Sequence, residues 1–339
     1  MNVFSRISGL KRGEGAGEKK PYRRELTAPL LVLAVFLLLR LSNYVDSRLT
    51  RDNENGAVVL LQLLIFVFPA VFYLILTKNT LSGLRIRPIG IGHLFIMLSA
   101  LVSMITASLL LDLTCGGYDS LTGGYDLYGI FVSKPEGGFS DGVYLVLAYA
   151  LIPSLCEELV FRAILSSEYE KRSSAAAIIM PSLFFAMLHF DLARFPALFL
   201  SGVILSLTLY ATRSIIAPLA VHFLYNLAAV FGRPFFQTLY DLGGEKMFIF
   251  AISALFLLSG FLFCSEAARL YRHYSEKNYS SSYRDMVPPY EKPRDAGSAS
   301  VSLIFSSKHP RLAATLSSVF SPTALACYIF YAAVILLGN

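Results

Sequence analysis

The sequence predicts an all-α fold, a polytopic membrane bundle of about nine helices. The chain of 339 residues is 55% hydrophobic and only 15% charged, whereas soluble domains carry about 25% charged residues. Apolar stretches of roughly 17–25 residues are long enough to cross the hydrocarbon core of a bilayer as helices. The stretches of this kind cover residues 29–45, 57–77, 89–113, 142–167, 174–190, 195–211, 214–231, 247–270 and 317–337.

The first and last apolar stretches define the ends of the predicted bundle. The first follows a polar, basic lead and has no small-residue cleavage site, so it predicts a retained helix and not a signal peptide. The last is diluted at its start by serines and Pro322. Ahead of it, a segment rich in Ser, Tyr, Pro and charge predicts a flexible linker. In chain order we predict a cytoplasmic basic tail (1–28), amino-terminal helices with an outer loop (29–141), a four-helix core (142–231), an eighth helix region (232–271), a cytoplasmic linker (272–316) and a final helix (317–339).

The distribution of Lys and Arg predicts the orientation of the bundle. If the predicted helices alternate in direction, most of the 29 Lys and Arg residues fall on the side of the amino terminus. Such residues favour the cytoplasmic side, so we expect a multi-pass membrane protein with a cytoplasmic amino terminus. The net charge of +6 then reflects topology and contact with an anionic lipid bilayer. No basic stripe interleaved with aromatic residues is present, so we expect no nucleic-acid partner.

Three polar fragments lie inside consecutive apolar stretches of the predicted core. Ionisable groups at membrane depth are costly and are mostly retained for function. The helical rise puts all three near the middle of a hydrocarbon core about 30 Å thick, although their helices run in alternating directions. Their common depth predicts one shared polar site. The fragments are residues 157–162 (EELVFR), 185–189 (FAMLH) and 222–226 (HFLYN).

Helix geometry assigns these side chains to faces. Glu157 and Glu158 are neighbours and should point about 100° apart. Glu158 and Arg162 are four residues apart, so they should form an ion pair that fixes the rotation of their helix. Glu157 is then expected to face the other two helices. His222 and Asn226 are also four residues apart and should share one helix face.

Two kinds of chemistry fit this set of residues. Glu157 and His189 can orient and deprotonate a water molecule, while His222 and Asn226 can donate hydrogen bonds to a developing oxyanion. Alternatively, Glu157, His189 and His222 match a three-ligand zinc site with an open position for water. The HExxH signature of many helical metalloproteases is absent. The residues alone leave both mechanisms open.

The three fragments resemble, in order and on separate helices, the motifs EExxxR, FxxxH and HxxxN of the CAAX prenyl protease and bacteriocin-processing (CPBP, or abortive-infection) family. The resemblance covers about residues 142–231 and implies a membrane-embedded helix bundle with a peptidase site. It implies Glu157 and His189 as activators of water. It implies His222 and Asn226 as stabilisers of the oxyanion. The expected enzyme is an intramembrane endopeptidase, similar to CAAX proteases, that cuts a membrane-associated protein or peptide.

The same residues bear on metal binding and on two alternative functions. Members of the family are often labelled metalloproteases, although a glutamate mechanism without metal is also argued for them. We favour a site without a tightly bound metal, because Asn226 shares a face with His222 and asparagine is an unusual zinc ligand. If zinc is bound, its ligands are Glu157, His189 and His222. The alternative functions are a secondary transporter, for which the expected repeat symmetry is absent, and a non-catalytic immunity or scaffold member of the same family.

Overall fold

The computed structural model describes residues 27–42, 44, 54–77, 85–116, 139–277 and 310–337. Within these residues the secondary structure is helical and includes no strand, which confirms the predicted all-α class. The predicted basic tail falls almost entirely outside the described residues, as do most of the outer loop and the middle of the linker. The described helices are α1 (Ala28–Ser42), α2 (54–77), α3 (91–116), α4 (139–170), α5 (Ser174–Leu188), α6 (Phe195–Thr212), α7 (Ile216–Phe231), α8 (Arg233–Lys277), α9 (Pro310–Val319) and α10 (Pro322–Leu337).

The described part of the chain contains five helical segments that are long and apolar enough to cross a membrane. Four shorter apolar helices, α1, α5, α7 and α10, accompany them. The protein is therefore a multi-pass membrane protein with a helical bundle, whereas the count of nine crossings stays a prediction. The five long segments are Ala57–Thr77, Ile91–Leu111, Gly142–Glu170, Phe195–Thr212 and Pro234–His273.

The carboxyl-terminal helices differ from the predicted bounds. Helix α8 begins at Arg233 and is interrupted at Gly244, whose φ of 68° and ψ of 170° are not helical and suit only glycine. It then continues to Lys277, beyond the predicted start of the linker. The predicted final helix is divided, because α9 ends at Val319 and α10 begins at Pro322. Proline lacks the N–H that would continue a helix but fits the first turn of a new one.

Local sequence signals set the ends of the short core helices. The side chain of Ser173 accepts a hydrogen bond of 3.0 Å from the backbone N–H of Ala176 and so caps the start of α5. Helix α6 has a proline within its first two positions and ends at Arg213, which adopts a left-handed conformation with φ of 57°. These helix ends make the connections between α5, α6 and α7 tight, which keeps the residues of the polar fragments close together.

The core is organised around α4. This helix packs against α2, α5 and α7, and it contains two π-helical stretches, Leu147–Leu151 and Leu159–Leu165. A π-helical turn changes the direction in which side chains point and occurs frequently at functional sites. One cluster of buried apolar side chains joins mainly α1, α2, α4, α5 and α10. A second cluster joins α3, α6, α7 and α8.

Candidate active site

Two adjacent glutamates lie on α4 directly before its second π-helical stretch. Glu157 is 8% exposed and Glu158 only 1% exposed. Oε1 of Glu158 lies 3.0 Å from Nη1 of Arg162, one helical turn later, and both side chains are almost fully buried. The contact expected from their spacing is therefore present. A buried ion pair needs further hydrogen bonds to offset the loss of hydration. The neighbouring helices supply one to each residue, while Oε2 of Glu158 and Nε of Arg162 have no hydrogen-bond partner among the described residues.

His222 on α7 connects the two glutamates. Its Nδ1 lies 2.9 Å from Oε1 of Glu158, and its Nε2 lies 3.8 Å from Oε2 of Glu157. Because a carboxylate beside Arg162 is ionised and can only accept, Nδ1–H of His222 donates to Glu158. Nε2 then faces Glu157. The imidazole thus has a fixed orientation, because Nδ1 is bound to Glu158 while Nε2 is directed at Glu157.

The link between Glu158 and His222 was not expected from the sequence. Spacing placed Glu158 with Arg162 alone, and the 100° separation of the glutamates argued against a common partner. Both carboxylates nevertheless reach one imidazole, because the two ring nitrogens present separate contact points. The sequence did contain one signal for a further partner. A carboxylate can accept about four hydrogen bonds, so a single nitrogen of Arg162 does not satisfy Glu158.

Phe185 on α5 lies at the centre of the polar residues. Cζ of Arg162 lies 4.7 Å from the centroid of its ring, a distance typical of a cation–π contact. The ring also makes edge contacts with the imidazoles of His189, at 5.3 Å, and His222, at 5.6 Å. One aromatic side chain therefore touches three of the residues that the sequence singled out and separates them from the apolar core.

Arg162 also contacts α6, and this contact depends on a glycine. Nη2 of Arg162 donates a hydrogen bond of 3.3 Å to the carbonyl oxygen of Gly202. A Cβ at Gly202 would lie 2.8 Å from Cα of Ser182 on α5, a separation that real side chains do not have. Glycine therefore lets α6 approach α5 closely enough for its carbonyl to reach the guanidinium. This role of Gly202 is not evident from the sequence.

His189 lies at the carboxyl end of α5 and is exposed. Its Nδ1 lies 3.0 Å from the carbonyl oxygen of Phe185, which can only accept, so Nδ1 carries the proton. In the neutral ring Nε2 is then free to accept a proton or a hydrogen bond. Both contacts of this imidazole, the carbonyl and the ring of Phe185, belong to its own helix.

Asn226 lies one turn after His222 on α7 and is half-buried. Within the part of the chain that the structure describes, no hydrogen bond or ion pair joins Glu157 to His189 or to Asn226. The structure thus brings Glu157, Glu158, Arg162 and His222 into direct contact. Phe185 connects His189 to this group. Asn226 lies beside the group because it shares α7 with His222.

The three residues named as zinc ligands are not arranged as a metal site. Across the described ranges, no group of three or more His, Cys, Asp or Glu side chains has the geometry to hold a metal ion. Nδ1 of His222 is bound to Glu158 and Nδ1 of His189 to a carbonyl. Glu157 stands 3.8 Å from His222, close enough to exchange a proton after a small movement. The Nδ1 contacts leave Nε2 of each imidazole for either acid–base chemistry or a ligand, so they fit both mechanisms.

Comparison with known families identifies the central helices. Residues 139–228 match the family model described as Type II CAAX prenyl endopeptidase Rce1-like. The match confirms the family resemblance. It supports an intramembrane endopeptidase at the level of the family. Comparison with curated proteins and with solved structures gives no significant match.

The Rce1-like region begins at the start of α4 and ends within α7. It includes all the contacts described above, from Glu157 to Asn226, together with Gly202 on α6. Helices α1, α2, α3, α9 and α10 lie outside the region, as does α8. The polar site is therefore formed entirely by the Rce1-like helices, while the flanking helices supply the packing around them.

Proposed function

We propose that the protein hydrolyses a peptide bond of a membrane-associated protein or peptide with a water molecule activated by Glu157 and His189. The family match supports a protease, and one observation supports this mechanism in particular. The imidazole of His222 lies between two buried glutamates, bound to Glu158 at 2.9 Å and directed at Glu157 across 3.8 Å. This arrangement can move a proton between Glu157 and His222 inside the bundle.

Charge balance supports that proton transfer. Glu157, Glu158, Arg162 and His222 are each at most 8% exposed, and an uncompensated charge in such a place is costly. With both glutamates ionised and the imidazole doubly protonated, the four groups carry no net charge. The group is also neutral when the proton lies on Glu157 and the imidazole is neutral. A single proton can therefore pass between Nε2 of His222 and Glu157 without creating a net buried charge.

The hydrolysis follows from these positions. Glu157, as the carboxylate, accepts a proton from water while the water oxygen bonds to the carbonyl carbon of the substrate. Nε2 of His189 accepts a hydrogen bond from the second O–H of the water and orients it, and this hydrogen stays on the oxygen. The carbonyl oxygen gains negative charge and accepts hydrogen bonds from Nε2–H of His222 and the amide of Asn226. The C–N bond then breaks as Glu157 returns its proton to the leaving nitrogen, which releases an acid and an amine.

Glu158 and Arg162 hold the donor in place in this proposal. Glu158 receives Nδ1–H of His222, which leaves Nε2 as the nitrogen that faces the substrate. Arg162 pairs with Glu158 and is itself held by the carbonyl of Gly202 and the ring of Phe185. Such supporting contacts fix the orientation of catalytic groups before the substrate arrives. No step of this proposal requires a tightly bound metal.

The amino terminus is proposed to be cytoplasmic, so that the basic tail faces the negatively charged inner leaflet. A protease added to intact cells or spheroplasts tests this orientation on a protein that carries an epitope tag at the amino terminus. The tag should be protected until the membrane is permeabilised. Cleavage of the tag in sealed cells would invert the proposed topology.

The substrate and the function can be tested together by comparing the amino termini of membrane proteins in cells. One strain produces the wild-type protein, one the Glu157→Gln variant and one the Glu245→Gln variant, whose substitution lies on an exposed part of α8. A peptidase predicts new termini with the wild type and with Glu245→Gln, and uncut precursors with Glu157→Gln. Identical termini in all three strains would contradict the proposal and favour a transporter or a scaffold.

A further inference from the structure

The residue that follows His189 has an unusual backbone conformation. Phe190 has φ of 49°, in the left-handed region that large side chains rarely adopt. It stands two residues after Leu188, the last residue of α5, where helices that end in this way ordinarily have glycine or asparagine. A bulky residue keeps such a conformation only when its surroundings determine it, and such residues concentrate at functional sites.

The ring of Phe190 is enclosed by side chains from α1 and α10. Phe36 meets it edge-on at 5.5 Å, and Tyr331 stacks on it at 5.6 Å with an interplanar angle of 23°. Phe330 makes a further edge contact at 6.3 Å. Cζ of Arg40 lies 5.3 Å from the ring centroid, within the range of a cation–π interaction. We call Phe36, Arg40, Phe330 and Tyr331 the aromatic clamp.

The two helices of the clamp are joined to each other independently of Phe190. Helices α1 and α10 pack together, and Sγ of Cys327 donates to the carbonyl oxygen of Pro29 at 3.1 Å. Neither helix belongs to the Rce1-like region at residues 139–228. The clamp is therefore an attachment of flanking helices to the end of α5, at the residue next to the candidate base.

Among the described residues, His189 makes no hydrogen bond to another helix. Both of its contacts, with the carbonyl and with the ring of Phe185, lie on the last turn of its own helix. These contacts fix the imidazole relative to α5 but not relative to Glu157 on α4. The position of the imidazole at the site therefore depends on where the end of α5 is held, and the clamp holds that end.

We propose that Phe190 is a positioning residue for His189, and that α1 and α10 hold His189 in the active site through the aromatic clamp. The inference rests on the proposed function for its kinetic consequence. Its structural part, the restraint of the His189 imidazole, can be measured without any substrate. The two can therefore fail separately.

The chain provides a matched pair of variants for the test. Tyr331→Leu removes the ring that stacks on Phe190. Tyr328→Leu removes a tyrosine one turn earlier on α10, which stacks on Phe184 of α5 at 6.1 Å. Both substitutions remove an aromatic ring from α10, but only the first touches the clamp. Tyr331 also contacts Phe195 at the start of α6, at 6.4 Å. Tyr331→Phe keeps the ring and serves as the conservative variant that should restore wild-type behaviour.

The first readout is the protonation pattern of the imidazole, from nuclear magnetic resonance of protein labelled with ¹⁵N in the histidine rings. The chain has five histidines, and the signal of His189 is the one lost in His189→Gln. Wild-type protein, Tyr328→Leu and Tyr331→Phe should show His189 with its proton on Nδ1. Tyr331→Leu and Phe190→Leu should show a mixture of Nδ1–H and Nε2–H forms, because without the clamp Phe190 leaves its left-handed conformation, the last turn of α5 unwinds and the imidazole separates from the carbonyl of Phe185.

The second readout is kcat on a substrate found by the comparison of termini. A misplacement of about 1 Å can reduce a catalytic rate by about 10²-fold, so Tyr331→Leu and Phe190→Leu should lower kcat by between about 10- and 10²-fold. Tyr328→Leu should lower the thermal midpoint but keep kcat per folded molecule. Arg40→Gln, which removes only the cation above the ring, provides a milder variant if the others do not fold, and should shift both readouts in the same direction.

The outcomes separate the inference from the proposed function. If wild-type protein cleaves its substrate but folded Tyr331→Leu, Phe190→Leu and Arg40→Gln keep its kcat and a single Nδ1–H form, the positioning role is overturned. If Tyr328→Leu changes both readouts as much as Tyr331→Leu, the effect belongs to the packing of α5 on α10 and the inference is overturned as well. If the wild type has no peptidase activity while the tautomer changes as expected, the proposed function fails and the restraint of His189 stands.

Discussion

The α4–α7 side of the candidate site is held by ion pairs and hydrogen bonds, whereas the side formed by His189 and Asn226 has almost none. Glu158, Arg162 and His222 are buried, and Glu158 is bonded to both of the others. His189 is exposed and bonded only within its own helix, and Asn226 is half-buried. The difference indicates that the two sides have different roles. The first side is set when the protein folds, and the second side completes its contacts when water and substrate are bound.

This comparison predicts opposite effects of mutations on the two sides. Substitutions of Glu158 and Arg162 should damage folding first, because they leave charges buried without partners. Substitutions of His189 and Asn226 should damage catalysis and leave folding intact, because these side chains satisfy few contacts in the free protein. Stability and rate must therefore be measured on the same preparations.

The largest effect on stability is expected for Glu158→Ala, which removes the partner of both Arg162 and His222. Breaking a buried pair in this way costs about 3–5 kcal/mol, so thermal denaturation in detergent should show a greatly lowered midpoint or aggregation. Glu168→Ala on the same helix is the control, because Glu168 pairs with the more exposed Lys171 and should cost at most about 1 kcal/mol. A Glu158→Ala protein as stable as the control but inactive would assign Glu158 to catalysis.

The next effect is expected for His189→Gln, which should lower kcat by about 10²–10⁴-fold, the range for loss of a general base. The thermal midpoint should stay close to that of the wild type, because no other helix loses a hydrogen bond. His273→Gln, on an exposed part of α8, controls for the loss of a histidine. Normal turnover by His189→Gln would remove this residue from the mechanism.

A somewhat smaller effect is expected for Asn226→Ala. Removal of one oxyanion donor costs about 10²–10³-fold in kcat, and KM should change little because the interaction forms mainly in the transition state. Asn226→Asp should not restore the rate, since a carboxylate accepts but cannot donate to an oxyanion. If Asn226→Asp is as active as the wild type, Asn226 does not stabilise the oxyanion.

No effect at all is expected from removal of metal. Purified protein should contain far less than one zinc per chain, and activity should survive prolonged treatment with a strong chelator, because Glu157 and His189 can activate water directly as proton and hydrogen-bond acceptors. Stoichiometric zinc that is lost in His189→Ala and His222→Ala, with activity restored by zinc alone, would replace this mechanism by a metal-dependent one.

Local contacts could be predicted from the sequence, whereas contacts between helices could not. Apolar length and the i to i+4 spacing were sufficient for the helices and for the contact of Glu158 with Arg162, because both are local properties. The bond from Glu158 to His222 depends on how α7 approaches α4 and on the π-helical stretch after Glu158, and neither is encoded in local spacing. The left-handed conformation of Phe190 could not be predicted either, because it is determined by contacts with α1 and α10, which lie far away in the chain.

The most direct test of the mechanism is the kcat of Glu157→Gln in reconstituted liposomes, measured on a substrate identified from the membrane protein termini. The amide keeps the shape of the side chain but cannot accept the proton of water, so kcat should fall by about 10²–10⁴-fold while the thermal midpoint stays near that of the wild type. Near-normal cleavage by the folded variant would show that Glu157 is not the base and would contradict the central claim.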